Sequence, residues 1–220
     1  MLAAFSPIYY LMPTTIVFVR HGETADNVAD IWSGWRNVAL DARGGRQARD
    51  VAKRLKAVDF DAAYSSDLLR ARQTAEAILL FHRQLPLDAT SAIREKDFGL
   101  FEGYTEAGLR MNFPKEFEEY MAAADRIKVH CPSGESWEDV LKRSSGFIRK
   151  ILKERPNQTL LVVSHGGCIR LLLAWLLNAP LPEHILFDHN NTGVSVVEVS
   201  PSLKTKLRLF NDTSHTKAPF

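Results

Sequence analysis

Two short histidine segments stand out as residues that could do chemistry. Arg20-His21-Gly22-Glu23-Thr24 follows a run of β-branched and aromatic residues, and Ser164-His165-Gly166-Gly167 follows a second apolar run. A third polar segment, Ser65-Ser66-Asp67, lies three residues before Arg70. Arginine offers planar, permanently charged donors that match the oxygens of a phosphate group. These residue types indicate an anion site, provided that the fold brings them together.

The chemistry that suits this set is phosphoryl transfer. A helix that begins at Gly166-Gly167 adds backbone N–H groups and the positive end of its dipole. A histidine among cations stays neutral more easily, and neutral imidazole is a good nucleophile toward phosphorus. The second histidine, when protonated, binds the phosphoryl oxygens as they gain charge. The remaining requirement is a proton donor for the leaving alcohol.

The elements that must position these residues alternate along the chain. The apolar patterns predict strands at 15–19, 59–64, about 85–87, 160–163, 193–199 and 204–210. They predict helices at 41–57 with Asp41 as N-cap, at 67–80, at 114–124, after a capping box at Ser136-x-x-Asp139, and at 168–178.

This alternation predicts an α/β fold with three layers, α/β/α, in which a mostly parallel central sheet carries helices on both faces. Ligands bind such sheets beyond the carboxyl ends of the strands. His21, His165, Arg20 and Arg70 all fall at or near those ends. Their convergence on one sheet edge is more specific than any single motif.

The length and composition predict one soluble domain. The chain has 220 residues, of which 45% are hydrophobic and 25% charged, and its net charge of +2 argues against nucleic acid or a membrane surface as a partner. Two cysteines are too few for a disulfide framework. Residues 1–19 carry no charged side chain, yet Pro7 and Pro13 interrupt this run and no basic residue opens it, so we expect a cytoplasmic protein.

The domain boundaries follow from the first strand. We expect residues 1–12 to be an N-terminal extension, with Met12 as an alternative start, and 13–220 to be a single domain with a small lid insertion around 96–133.

Several sequence blocks together resemble the histidine phosphatase superfamily, also called phosphoglycerate mutase-like. The blocks occur in the family's order and cover about residues 15–200. They are Arg20-His21-Gly22-Glu23-Thr24 with Asn27, 66–75 around Arg70, Arg94-Glu95-Lys96-Asp97-Phe98-Gly99 with Glu102-Gly103, Pro132-Ser133-Gly134-Glu135-Ser136, and Ser164-His165-Gly166-Gly167.

The resemblance implies a role for each matching residue. His21 is the expected nucleophile, which forms a phosphohistidine, and Glu95 is the expected general acid and base, a role that needs a carboxyl group able to hold a proton near neutral pH. The residues expected to hold the phosphoryl group or substrate are Arg20, Asn27, Ser33, Gly34, Arg70, Arg72, His165 and Gly166. Arg70 is favoured over Arg72, because positions two apart on a helix do not share a face. The family needs no metal and no organic cofactor.

The chain departs from the family pattern on the expected substrate side of the pocket. Asp26 stands where many members have Trp, Ser33-Gly34 where many have Gln-Gly, and Asn37 where many have Asp. The phosphate chemistry is therefore better defined than the organic part of the substrate. Sugar phosphates, phosphoglycerate derivatives, α-ribazole phosphate and nucleotides all remain open.

Other residues have competing interpretations. The aromatic residues Trp32, Trp35, Phe98, Phe101 and Tyr104 either line the substrate entrance or pack under a lid. The remaining histidines, His82, His130, His184, His189 and His215, are expected to be surface or structural residues, and Cys168 to be packed. A metal site at His21 and His165 is disfavoured, because no Asp-rich or His-x-His cluster accompanies them.

The sequence thus predicts an enzyme of the phosphatase branch of this superfamily that hydrolyses a small phosphorylated metabolite. A mutase that moves the phosphoryl group between hydroxyls is the nearest alternative, and a non-catalytic phospholigand-binding protein is the second. The residues after Glu95 and the modest lid favour the phosphatase, and the presence of both His21 and Glu95 argues against a degenerate binding protein. The oligomeric state is open, although dimers are common among similar proteins.

Overall fold

The computed structural model describes residues 12–216, so the expected N-terminal extension lies outside the described residues except for Met12. These residues form six β-strands and seven α-helices. The strands are β1 (Thr14–Arg20), β2 (Ala62–Ser66), β3 (Leu87–Thr90), β4 (Thr159–Ser164), β5 (Val194–Val199) and β6 (Thr205–Asp212). The helices are α1 (Ala25–Val28), α2 (Ala42–Leu55), α3 (Leu69–Leu79), α4 (Glu106–Asn112), α5 (Pro114–Ala122), α6 (Trp137–Glu154) and α7 (Gly166–Leu176).

The strands form one sheet in the order β3-β2-β4-β1-β5-β6. The first four strands are parallel, whereas β5 and β6 are antiparallel to their neighbours. The prediction of a mostly parallel sheet is therefore confirmed. Because β1 and β4 are adjacent and in register, with Arg20 opposite Ser164, the two histidine segments leave the sheet side by side.

The side chains of the central strands alternate between two apolar clusters, one on each face. Ile16 and Phe18 of β1 pack with α6 and α7, and Val17 and Val19 pack with α2 and α3. The neighbouring strand β4 alternates in the same way. Burial on both faces confirms the three layers that the sequence predicted.

The predicted helix starts are confirmed at two places. The Asp41 carboxylate accepts a hydrogen bond from the Gly44 amide at 2.7 Å, and Ser136 with Asp139 forms a reciprocal capping box that begins α6. These caps satisfy N–H groups that the first turn of a helix leaves free.

Other boundaries differ from the prediction. Strand β2 starts at Ala62, three residues late, because its ladder with β4 begins where Ala62 faces Leu160. Strand β3 runs through residues 87–90 rather than 85–87. Helix α7 starts at Gly166, two residues before the apolar pattern at 168–178 but in agreement with a helix that begins at the glycine pair. Helix α4 was not predicted at all, since it is short and mostly exposed, with Leu109 as its one buried residue.

Residues 98–131 build a separate small cluster beside the sheet. Phe101, Leu109, Phe117, Tyr120 and Cys131 are buried together, with Trp32 and Phe98 packed against them. A lid role for 96–133 remains a prediction. Among residues 12–216, no helix is long and apolar enough to cross a membrane.

Candidate active site

A cavity of about 610 Å³ opens beyond the carboxyl ends of β1 and β4. Seven of the residues expected at the site line it, namely Arg20, His21, Asn27, Ser33, Gly34, Arg70 and Glu95. The ring of His165 lies behind that of His21, with the two ring centroids 5.2 Å apart. The structure thus brings the predicted residues together from five separate parts of the chain.

His21 is held in one orientation by its own backbone neighbour. Its Nδ1 lies 2.7 Å from the Gly22 carbonyl oxygen, which can only accept a hydrogen bond. In the neutral ring Nδ1 therefore carries the proton and Nε2 keeps its lone pair. Burial, followed by the nearby Arg70 and Arg20, places the pKa of His21 well below its usual value. The ring is thus a neutral imidazole with a free nitrogen.

His165 and Arg20 carry buried polar atoms suited to an anion. Both ring nitrogens of His165 and the Nε of Arg20 lack a hydrogen-bond partner within the part of the chain that the structure describes. Burial, Arg70 and His21 lower the pKa of His165 well below its usual value. A bound phosphoryl group would favour the protonated ring, because an anion nearby stabilises imidazolium.

Arg70 is oriented by a loop that the sequence placed on the substrate side. Its guanidinium donates to the carbonyls of Gly34 and Arg36, both at 2.8 Å, and burial lowers its pKa to about 10. Gly34 has a φ of +48°, and a Cβ there would collide with the Glu102 carboxylate. Glu102 in turn accepts the Trp35 amide at 2.6 Å. This loop therefore positions the Arg70 guanidinium as well as lining the cavity.

Glu95 is held by backbone donors on both carboxylate oxygens. The Lys96 amide donates to Oε1 and the Gly167 amide to Oε2, each at 2.9 Å. The Arg20 guanidinium packs against Gly166, where a Cβ would lie 3.3 Å from Arg20 Nε, and the expected help of the Gly166 amide in holding a phosphoryl group stays a prediction. The start of α7 therefore contacts both an arginine and the carboxyl group of the site.

Arg72 is not among the residues that line the cavity, and its role in substrate binding stays a prediction. Its side chain is half-exposed and pairs with Glu76 one turn later on α3. Because Arg70 occupies the buried face of the same helix, the residue two positions on must point elsewhere.

Two of the departures from the family pattern also lie off the cavity. Asp26 is buried and pairs with Arg36 at 3.3 Å, and the Asn37 side chain accepts the Leu69 amide at 2.7 Å, where α3 begins without a cap of its own. Both residues shape the loop around Arg70. Asn27 lines the cavity and also takes part in the capping box with Thr24.

The aromatic residues divide between the two interpretations. Trp32 and Phe98 line the cavity, whereas Phe101 is buried in the small cluster and Tyr104 packs on Phe113. Trp35 donates its indole N–H to the Glu95 carbonyl at 2.9 Å.

Some cavity residues escaped the sequence analysis. His184, expected to be merely structural, lines the cavity and packs on Trp137. Arg126, Arg170 and Tyr120 also line it. Arg126, Tyr120 and His184 lie outside the motifs. Arg170 lies three residues after Gly167, and the one signal for it was its charge in the otherwise apolar α7. Among residues 12–216, no group of three or more His, Cys, Asp or Glu side chains forms a metal-binding cluster.

A sheet edge that gathers two histidines and two arginines defines a phosphoryl-transfer class of protein. The model of the histidine phosphatase superfamily (branch 1) matches residues 16–213. The chain therefore belongs to the histidine phosphatase superfamily.

Similar proteins carry two kinds of name. A 2,3-bisphosphoglycerate-dependent phosphoglycerate mutase of Bradyrhizobium sp. (strain ORS 278) is 32% identical, over 88% of this chain and 97% of its own. The α-ribazole phosphatase of Shigella flexneri superposes with a TM-score of 0.84 at 28% identity, covering 91% of this chain and 97% of that one. A mycobacterial glucosyl-3-phosphoglycerate phosphatase reaches 0.79 at 26% identity, covering 90% and 98%.

Proposed function

We propose that this protein hydrolyses small-molecule phosphate monoesters through a phosphohistidine on His21, with Glu95 as general acid and base. The observation that carries the proposal is the hydrogen bond from His21 Nδ1 to the Gly22 carbonyl. It leaves the lone pair of Nε2 free in a cavity that Arg20, Arg70 and Glu95 also line.

The first half-reaction forms the phosphoenzyme. Nε2 of His21 attacks phosphorus, the bond from phosphorus to the ester oxygen breaks, and Glu95 transfers its proton to the leaving alcohol. Arg20, Arg70 and His165 surround the position of His21 and offer N–H donors to the phosphoryl oxygens. The donors to Glu95 come from the backbone, so its carboxyl group keeps its place during proton transfer.

The second half-reaction restores the enzyme. Glu95, now a carboxylate, takes a proton from water, and the oxygen of that water attacks phosphorus. The bond from phosphorus to Nε2 breaks, which releases inorganic phosphate and neutral His21. Glu95 ends protonated, as it began, so one carboxyl group serves both steps.

Transfer of the phosphoryl group between hydroxyls is the second candidate, favoured by the name of the Bradyrhizobium relative. A mutase must hold an intermediate with anionic groups at both ends while it turns. Two further arginines of the cavity wall already have protein partners: Arg170 pairs with exposed Asp188 at 3.6 Å, although its Nε has no partner among the described residues, and Arg126 Nη1 donates to the Tyr120 and Met121 carbonyls. Trp32, Phe98 and Trp137 supply much of the remaining wall. These contacts support hydrolysis.

A His21→Ala variant tests the nucleophile. We expect kcat/KM for para-nitrophenyl phosphate to fall at least about a thousandfold, since the covalent route is lost. His130→Ala, which replaces an exposed histidine outside the cavity, is the control and keeps full activity. Rapid acid quench of the wild type with ³²P-labelled substrate should trap label on His21.

The same assays separate hydrolysis from the mutase reaction. Phosphate release without a bisphosphate primer supports the phosphatase. Conversion of 3-phosphoglycerate to 2-phosphoglycerate with little phosphate release contradicts it, and undiminished hydrolysis by His21→Ala contradicts the nucleophile.

A further inference from the structure

Arg143 of α6 lies close to Glu95, and every N–H donor of its guanidinium forms a hydrogen bond there. Its Nη1 donates to the Ala92 carbonyl at 3.0 Å and to the Arg94 carbonyl at 2.9 Å, and its Nη2 donates to the Glu95 carbonyl at 2.8 Å. Nε and Nη2 also form a bidentate pair with Glu135, both at 2.8 Å. An arginine has five N–H donors, so all of them are engaged here.

Glu135, the partner of Arg143, also binds the chain just after Glu95. Its carboxylate accepts the Asp97 amide at 3.0 Å, and its own amide donates to the Asp97 carbonyl at 2.9 Å. The two loops touch backbone to backbone, because a Cβ on Gly134 would lie 2.5 Å from the Asp97 carbonyl oxygen. The segments 92–97 and 132–135 therefore form one unit, joined by the Arg143–Glu135 pair.

The main chain of Glu95 is consequently held from two sides. Its carbonyl accepts from Arg143 Nη2 and from the Trp35 indole, which occupies both lone pairs of the oxygen. Its side chain lines the cavity, whereas Arg143 does not. Arg143 therefore does not touch a group bound in the cavity, and besides its charge, which contributes to the lowered pKa of His165, it acts on the reaction through the residue it holds.

We propose that Arg143, paired with Glu135, is the positioning residue for the proton donor Glu95. The inference rests on the proposed function. A misplacement of about 1 Å of a group that transfers a proton costs on the order of a hundredfold in rate. An ion pair of this kind adds little net stability over an apolar pair, but its planar fork matches the carbonyls of Ala92, Arg94 and Glu95, which no apolar side chain could hold.

The test compares two leaving groups. Para-nitrophenolate leaves without a proton, whereas the alkoxide of glycerol 2-phosphate needs one, so only the alkyl ester depends on Glu95 for formation of the phosphoenzyme. The readout is the ratio of kcat/KM for glycerol 2-phosphate to kcat/KM for para-nitrophenyl phosphate. We use kcat/KM because it excludes the later hydrolysis of the phosphoenzyme. We expect Arg143→Lys to lower kcat/KM at least tenfold for glycerol 2-phosphate and less than threefold for para-nitrophenyl phosphate.

Further variants give the comparison its controls. Glu95→Gln should shift the ratio in the same direction by about a hundredfold, and Arg143→Lys should add no further shift in that background. Glu135→Gln keeps the volume of the pair and should act as Arg143→Lys does, which covers the case in which the latter fails to fold. Arg149→Lys, on the same helix but stacked on Trp175, should leave the ratio unchanged.

Two results overturn the proposal in distinguishable ways. Equal losses for both esters in folded Arg143→Lys or Glu135→Gln, with an active wild type, show a merely structural pair. A wild type that hydrolyses neither ester overturns the proposed function, and this inference with it.

Discussion

The imidazoles at the centre of the site are kept neutral by burial and by neighbouring arginines. His21 and His165 are both buried, and the pKa of each lies well below its usual value. A neutral His21 is what nucleophilic attack requires, while His165 gains its proton most easily once an anion is present. The same surroundings therefore suit both proposed roles, because a bound anion would favour protonation of His165.

His189 is a further buried histidine with a lowered pKa, and it contacts Arg20. Its Nε2 lies 2.8 Å from the Ser195 hydroxyl, and its carbonyl accepts from the Arg20 guanidinium. Burial and the charge of Arg20 lower its pKa to about 4. The unfolded chain binds the proton near pH 6.5, so the stability that depends on neutral His189 is present above pH 6.5 and is lost as the pH falls toward 4.

A His189→Gln variant should remove this pH dependence. Between pH 7 and pH 5 the wild type should lose about 2 kcal/mol more unfolding free energy than the variant, at about 1.4 kcal/mol per pH unit below 6.5. Urea unfolding of both proteins at the two pH values measures it. Parallel losses in wild type and variant would show that His189 titrates equally in the folded and unfolded chains.

At the scale of elements, the loop between α1 and α2 determines where Arg70 points. Its Gly34 and Arg36 carbonyls accept from the Arg70 guanidinium, while Asn37 caps the helix that carries Arg70. The left-handed φ of Gly34 aims its carbonyl, and Glu102 fills the space beside its Cα. The loop and helix α3 are thus fitted to each other.

A Gly34→Ala variant should disturb that fit. The new Cβ meets the Glu102 carboxylate and the left-handed backbone costs about 1–2 kcal/mol, so the carbonyl moves away from Arg70. Losing a hydrogen bond to a charged group costs about 1.5–3 kcal/mol, and kcat/KM for para-nitrophenyl phosphate should fall about tenfold or more.

Gly146→Ala is the matched control for Gly34→Ala. Gly146 lies within α6, and nothing lies within 4 Å of a Cβ placed there. Its activity should be unchanged and its stability higher by up to about 1 kcal/mol. An unchanged kcat/KM in Gly34→Ala would show that the Gly34 carbonyl does not position Arg70.

At the scale of the whole molecule, a net charge of only +2 hides a concentration of positive charge. Arg20 and Arg70 are both withdrawn from solvent near two histidines, and burial lowers the pKa of each arginine. Desolvated cations destabilise a fold unless an anion offsets them. The unliganded protein should therefore be measurably less stable than its complex with phosphate.

Inorganic phosphate should raise the melting temperature. At a concentration a hundred times its Kd, it should stabilise the protein by about 2.7 kcal/mol, which corresponds to about 5–10 °C for a chain of this size. Sodium chloride at equal ionic strength is the control, and Arg70→Met should abolish the shift. An equal rise with chloride would mean general screening rather than binding at this site.

The order and type of the central residues could be predicted from the sequence. Strand patterns ending at His21 and His165 required that both lie at one sheet edge, because parallel strands share the direction of their carboxyl ends. Local signals also located Asp41 and the Ser136 capping box, since a cap is an interaction over three residues.

Contacts between distant segments were decided only by the tertiary structure. Packing separated Arg70 from Arg72, turned Asn37 into a helix cap, and brought Trp137 and His184 to the cavity wall. None of these follows from local spacing, because each depends on which remote surface meets the residue. The sequence by itself determined the family and the layered fold, since both arise from residue type, order and periodicity. The tertiary structure decided the direction of each side chain, since that direction depends on neighbours that are remote along the chain.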